Sequence, residues 1–130
     1  MRAKLLLAGL SLLIVAACAS PRERAYNAVV NDYKRKQADV TEYTRANVKE
    51  LVAATKAYRA KVGRWPGTLA ELSDFAFDNH MALDFPAFNE VTFAALDDGS
   101  VQVHYEVNCD RFKHGPYQFS QAGSANVKAK

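Results

Sequence analysis

YTRANVKELVAATKAYRAKVGRWPGTLAEL, running from Tyr43 to Leu72, decides the fold of this 130-residue chain. Val48, Leu51, Val52, Thr55, Tyr58 and Val62 recur at steps of three and four, the spacing of one buried helical face, while Lys49, Lys56, Arg59 and Lys61 fall largely off it. Gly63 can adopt the left-handed conformation that ends helices, and Pro66 cannot continue one, so the chain turns at Trp65-Pro66. Thr68 followed three residues later by Glu71 makes a capping box. A second short helix therefore starts at once and returns Leu69 and Leu72 toward the first.

On the N-terminal side, Ser20-Pro21-Arg22-Glu23 reads as the start of a helix, with Ser20 as N-cap and Pro21 in the first helical position. From there Tyr26, Val30, Tyr33, Gln37, Val40, Thr44, Asn47, Leu51, Ala54 and Tyr58 form a loose heptad seam, diluted by its polar members. Asp39 with Glu42 forms another capping box, which predicts a break near Asp39. The half from Val40 onward is expected to be packed. The half before it is expected to be exposed, with Tyr26, Val30 and Tyr33 as candidate contacts for a partner helix.

On the C-terminal side, Ser73 to Asn89 interleaves Phe75, Phe77, Met81, Leu83, Phe85 and Phe88 with Asp and Asn. Alternation at Met81, Leu83 and Phe85 suits a short edge strand ending at Pro86. The aromatic loop 75–88 either covers the core or binds a ligand, and Phe75, Phe77 and Phe85 are its candidate residues. Val101, Val103, Tyr105 and Val107 alternate with polar residues, as in a sheet with one buried face. A three-residue Asp97-Asp98-Gly99 loop pairs Phe93 with Val103, Val91 with Tyr105 and Ala95 with Val101. It keeps the large apolar residues on one face and needs a left-handed residue where Gly99 stands. Pro116 to Phe119 reads as a third strand and 122–130 as a disordered tail. The expected architecture is α+β, a long N-terminal amphipathic helix packed on a small antiparallel sheet of three to four strands.

Arg2 and Lys4 precede an apolar run from Leu5 to Ala17, which is short for a membrane span and suited to a secretory signal. The run ends Val15-Ala16-Ala17-Cys18, which resembles a bacterial lipobox; an ordinary signal site with an incidental Cys18 is the alternative. The lipobox resemblance implies removal of residues 1–17, acylation of Cys18 (palmitate among the chains) and, with Ala19 next to it, an outer-membrane lipoprotein facing the periplasm of a Gram-negative envelope. Cys109 is then the one remaining thiol, with no disulfide partner. Pro21 to Arg64 holds eleven Lys/Arg against five Asp/Glu, and Trp65 to Lys130 holds four against nine. The basic Pro21–Arg64 half suits either anionic headgroups or plain solvent, and the half from Trp65 onward is acidic; the expected divisions are a lipid-anchored helical stem, 18–39, and an α+β domain, 40–121.

Ala57-Tyr58-Arg59-Ala60-Lys61-Val62-Gly63-Arg64-Trp65-Pro66 followed by Thr68-Leu69-Ala70-Glu71-Leu72 and a meander of strands resembles the type IV pilins and type II secretion pseudopilins, over about Val48 to Phe119. In that group an aromatic residue, a Gly, an aromatic-Pro pair and a Leu-rich turn follow one another, and an antiparallel sheet covers the helix. The chain lacks their peptidase site and apolar helix start. Its stem carries Arg22, Arg24, Lys34, Arg35 and Lys36, which do not fit a fibre core. The resemblance implies a pilin-like head on a lipid anchor.

His104, Cys109, Asp110 and His114 are close in sequence, but their spacing matches no familiar zinc pair, and nothing orients His114 as a base for Cys109. There is no Gly-rich phosphate loop and no serine elbow. An envelope address argues against nucleic acid as the partner of the basic stem. The sequence reading is therefore a non-enzymatic lipoprotein without cofactor or metal, anchored in the membrane through Cys18. It is an envelope protein-interaction or assembly module, with a secretion or pilus system as the machine it would serve. The alternative is a small-ligand or cell-wall binding lipoprotein using the loop 75–88.

Overall fold

The computed structural model describes residues 20–113, 115 and 117–129. The expectations for the signal segment 1–17, for Cys18 and for His114 lie outside the described residues. Helix α1, Pro21–Val62, is followed by α2, Leu69–Asp78, and by strands β1, Phe88–Ala95, β2, Val101–Val107, and β3, Gln121–Val127. Single 3-10 turns occupy Phe85–Ala87 and Asp110–Phe112. By its contacts the chain divides into two units, one ending at Arg35 and one beginning at Lys36.

In the first unit, the Ser20 hydroxyl accepts the Glu23 N–H at 3.1 Å, the cap expected from the sequence. The helix does not restart at Asp39. Asp39 is helical like its neighbours, because no Gly or Pro interrupts the backbone there.

The second unit is α+β, with the later part of α1 packed on a three-stranded antiparallel sheet in the order β1-β2-β3. Its core joins Val40, Leu51, Ala54 and Tyr58 of α1 to Leu72, Val91, Val101, Val103, Val107 and Val127. The buried positions of α1 follow the diluted seam, and Val62, expected inside, is exposed. The seam tolerates Asn47 because its side-chain amide donates to the Tyr43 carbonyl at 2.9 Å, whereas the Thr44 hydroxyl beside it is buried without a hydrogen-bond partner among the described residues.

The β1–β2 register pairs Phe93 with Val103, Val91 with Tyr105 and Ala95 with Val101, and Gly99 has φ +86, all as the hairpin arithmetic requires. The Asp98 carboxylate accepts the Ser100 N–H at 3.0 Å and also its hydroxyl, which closes the turn and lowers the pKa of Asp98.

Three further expectations are corrected. Residues 81–84 form no strand, because α2 continues through Asp78 and the chain then takes a 3-10 turn at Pro86. The third strand is Gln121–Val127; of the expected strand 116–119, Pro116 lies outside the described residues, Tyr117 makes an isolated bridge and 118–119 belong to no strand. The supposed disordered tail is therefore mostly strand, paired without a shift from Val101↔Val127 to Val107↔Gln121. The reason is space. Tyr105 lies across Gly123 so closely that a Cβ there would stand 2.6 Å from its hydroxyl, so the strand beside β2 must be small where the large-residue stretch 116–119 is not.

Candidate functional site

The corner after α1 is fastened by several side-chain hydrogen bonds. Gly63, at φ +89, donates its N–H to the Arg59 carbonyl at 3.0 Å and ends the helix. Pro66 is buried, and the Trp65 indole N–H donates to the Gly99 carbonyl at 3.2 Å, which fastens the corner to the hairpin turn. The Arg59 guanidinium lies 5.5 Å from the centre of the Trp65 ring. Thr68 caps α2 by accepting the Glu71 N–H at 3.1 Å.

Glu71 itself is a junction. Its carboxylate accepts hydrogen bonds from the Tyr58 hydroxyl, from the Arg64 guanidinium and, at 3.0 Å, from the Gly67 N–H, one residue before the N-cap. These donors favour the charged form and hold its carboxyl down at about 2, the Tyr58 bond contributing most. The same bond, after burial, raises the pKa of Tyr58. The junction joins three segments and leaves no free acid or base.

The sequence candidates are scattered. In the first unit, Tyr26 is 69% exposed, Tyr33 is also exposed and Val30 is half-buried. In the second unit the three phenylalanines separate. Phe75 turns inward and meets Tyr58 edge-on at 5.1 Å, whereas Phe77 is 83% exposed and Phe85 51% exposed. Helical phase explains this, because α2 buries Leu72 and Ala76, Phe75 flanks that face and Phe77 points away from it.

Beyond the 3-10 turn at Pro86 lies a cleft of about 410 Å³, lined by Tyr43, Asp84, Pro86, Asn108, Asp110 and Arg111. Arg111 stacks on Tyr43 at 4.9 Å, and Tyr43 meets Phe112 edge-on at 5.2 Å. Sequence reading missed this cleft, and its only local signal was the Arg111-Phe112 pair.

Cys109 is 4% exposed and directs its sulfur to the Val107 carbonyl at 3.6 Å. Burial pushes its thiol pKa up, the opposite of what a nucleophile needs. His104 is exposed on the open face of the sheet, opposite Thr92. Among the described residues no group of three His, Cys, Asp or Glu is placed to hold a metal ion, and no helix is long and apolar enough to cross a membrane.

No family pattern, curated protein or solved structure matches this chain.

Proposed function

We propose that the protein is a non-enzymatic lipoprotein, anchored through Cys18 in the outer membrane and facing the periplasm, that acts as an interaction or assembly module for other envelope proteins. A secretion or pilus system is the machine that its pilin-like sequence pattern favours. The observation that carries the reading is the exposure of Tyr26, Val29 and Tyr33, aromatic and branched residues at helical spacing along the first half of α1. Neither the raised thiol of buried Cys109 nor the Glu71 carboxylate, held charged by its three donors, is free to act as nucleophile or base.

The test is chemical crosslinking in intact cells, followed by purification of the tagged chain and mass spectrometry. Specific envelope proteins lost when Arg22 to Gln37 is removed are the expected result. An unchanged profile of abundant envelope proteins would refute the reading.

A second reading, a small-ligand or cell-wall binding lipoprotein, is favoured by the exposure of Phe77 and Phe85 and by the Tyr43–Arg111 cleft. Retention on purified peptidoglycan that is lost in Phe77→Ser or Arg111→Ala would support it over the first.

A further inference from the structure

The two edges of the sheet differ. β1 carries a register shift between Phe88 and Glu90 and a carboxylate within the strand. β3 has neither, since its seven residues QAGSANV pair with β2 in unbroken register and include no charge and no proline. Sheets ordinarily guard an edge with bulges, charges or proline, and β3 shows none of these.

A second oddity lies in line with that edge. Glu90 stands directly opposite Glu106 across β1 and β2, an arrangement in which like charges repel. The next residue in the row is Ala122 of β3. Its small side chain leaves a hollow of about 290 Å³ bordered by Glu90, Thr92, His104 and Glu106. No ion pair to either carboxylate occurs among the described residues.

We propose that β3 pairs antiparallel with β3 of a second copy of this chain about a two-fold axis at Ala125, so that the partner's Lys128 lies beside Ala122 and reaches Glu106 and Glu90. In this register Ser124 faces the partner's Asn126, and Gly123 faces the partner's Val127 under the edge of the Tyr105 ring. Val127 is buried, so strand alternation sends Lys128 to the open side of the sheet, where Glu106 and Glu90 stand. The two-fold repeats the Lys128–Glu106 row at both ends and closes the assembly at two copies. Within its own chain Lys128 has Asp98 nearby, but the Ser100 hydrogen bonds do more than Lys128 to stabilise that carboxylate. The partner's two acids therefore compete with a weak, exposed attraction.

Residues facing one another across such an axis have Cα atoms about 4.5–5.5 Å apart, within disulfide reach. The test uses the full chain in intact cells with Cys109→Ala as background and a mild oxidant. Ala125→Cys is expected to give a species of twice the mass on a non-reducing gel. Ala94→Cys, exposed on the opposite edge strand, and the background chain with Cys18 alone, should give none. Lys128→Glu in the Ala125→Cys chain should cut the cross-linked fraction about fivefold to tenfold, as loss of two exposed ion pairs allows. Adding Glu106→Lys should restore it. Sedimentation of the unsubstituted full chain in detergent should give a dimer. The proposal is overturned by a monomer in sedimentation, by equal cross-linking at Ala94→Cys, by a cross-link to a different protein, or by a yield indifferent to Lys128→Glu.

Discussion

Replacing Gly123 with alanine should destabilise the protein, although at most strand positions the same change would help. Gly123 has no unusual φ, so alanine fits its backbone, and the narrower unfolded ensemble alone would favour alanine by about 0.4–1 kcal/mol. Against this, the new Cβ would sit 2.6 Å from the Tyr105 hydroxyl and 2.9 Å from the ring carbon that bears it. The ring has to retreat by roughly 1 Å to reach ordinary van der Waals distance. It is not free to do so without disturbing Phe88, which meets it edge-on at 6.5 Å, and overpacking of this kind costs about 1–3 kcal/mol. The difference is a net loss of about 0.5–2 kcal/mol. The decisive assay is a double-mutant cycle by urea denaturation followed by circular dichroism, because Tyr105→Ala empties the space. In that background Gly123→Ala should change sign and stabilise by about 0.4–1 kcal/mol. Equal stabilisation in both backgrounds would refute the claim that Tyr105 dictates the small residue.

Leu51→Ala, at a fully buried position facing the sheet, should cost about 2–5 kcal/mol in the same assay, and a loss below 1 kcal/mol would deny Leu51 its central place. Trp65→Phe keeps the ring but removes the donor to Gly99, so a loss of about 0.5–1.5 kcal/mol is expected, with slower proteolysis at the corner contradicting it. Glu71 sets a pH dependence. Its folded pKa lies at about 2, below the ordinary 4.5, so its contribution is full above pH 4.5 and is lost as pH falls toward 2. Thermal unfolding midpoints from pH 6 to 2 should drop less steeply in Glu71→Gln across that window, and parallel curves would show that the junction does not stabilise through its charge.

What the sequence revealed was whatever local chemistry determines. Ser20 and Thr68 cap the helices they precede because an N-cap needs only its own next turn. The hairpin register follows from three loop residues and the face preference of Phe93, Val91 and Val103. The α+β architecture was legible for the same reason. Asp39 misled because a capping-box pattern has no force inside a helix whose backbone is already paired. β3 was hidden because Ala122, Gly123, Ser124 and Ala125 carry little strand preference of their own, and their place is fixed by Tyr105, far away in sequence. Glu71 looked like a cap and proved to be a junction, since its partners Tyr58 and Arg64 lie across a corner whose geometry no periodicity describes. Among the candidate contacts, Phe75 and Phe77 could have been separated once α2 was extended to Asp78, because Leu72 and Ala76 fix its inner face. The Tyr43–Arg111 cleft joins residues that only the finished fold brings together.

The burial of Cys109 also gives the molecule an internal clock. A bulky maleimide can reach the sulfur only when the end of β2 and the turn after it part from α1 and the sheet. The rate of alkylation at Cys109 therefore counts openings of the native state. Comparing that rate with and without a bound neighbour would measure how firmly the neighbour holds the head closed, whichever surface it occupies.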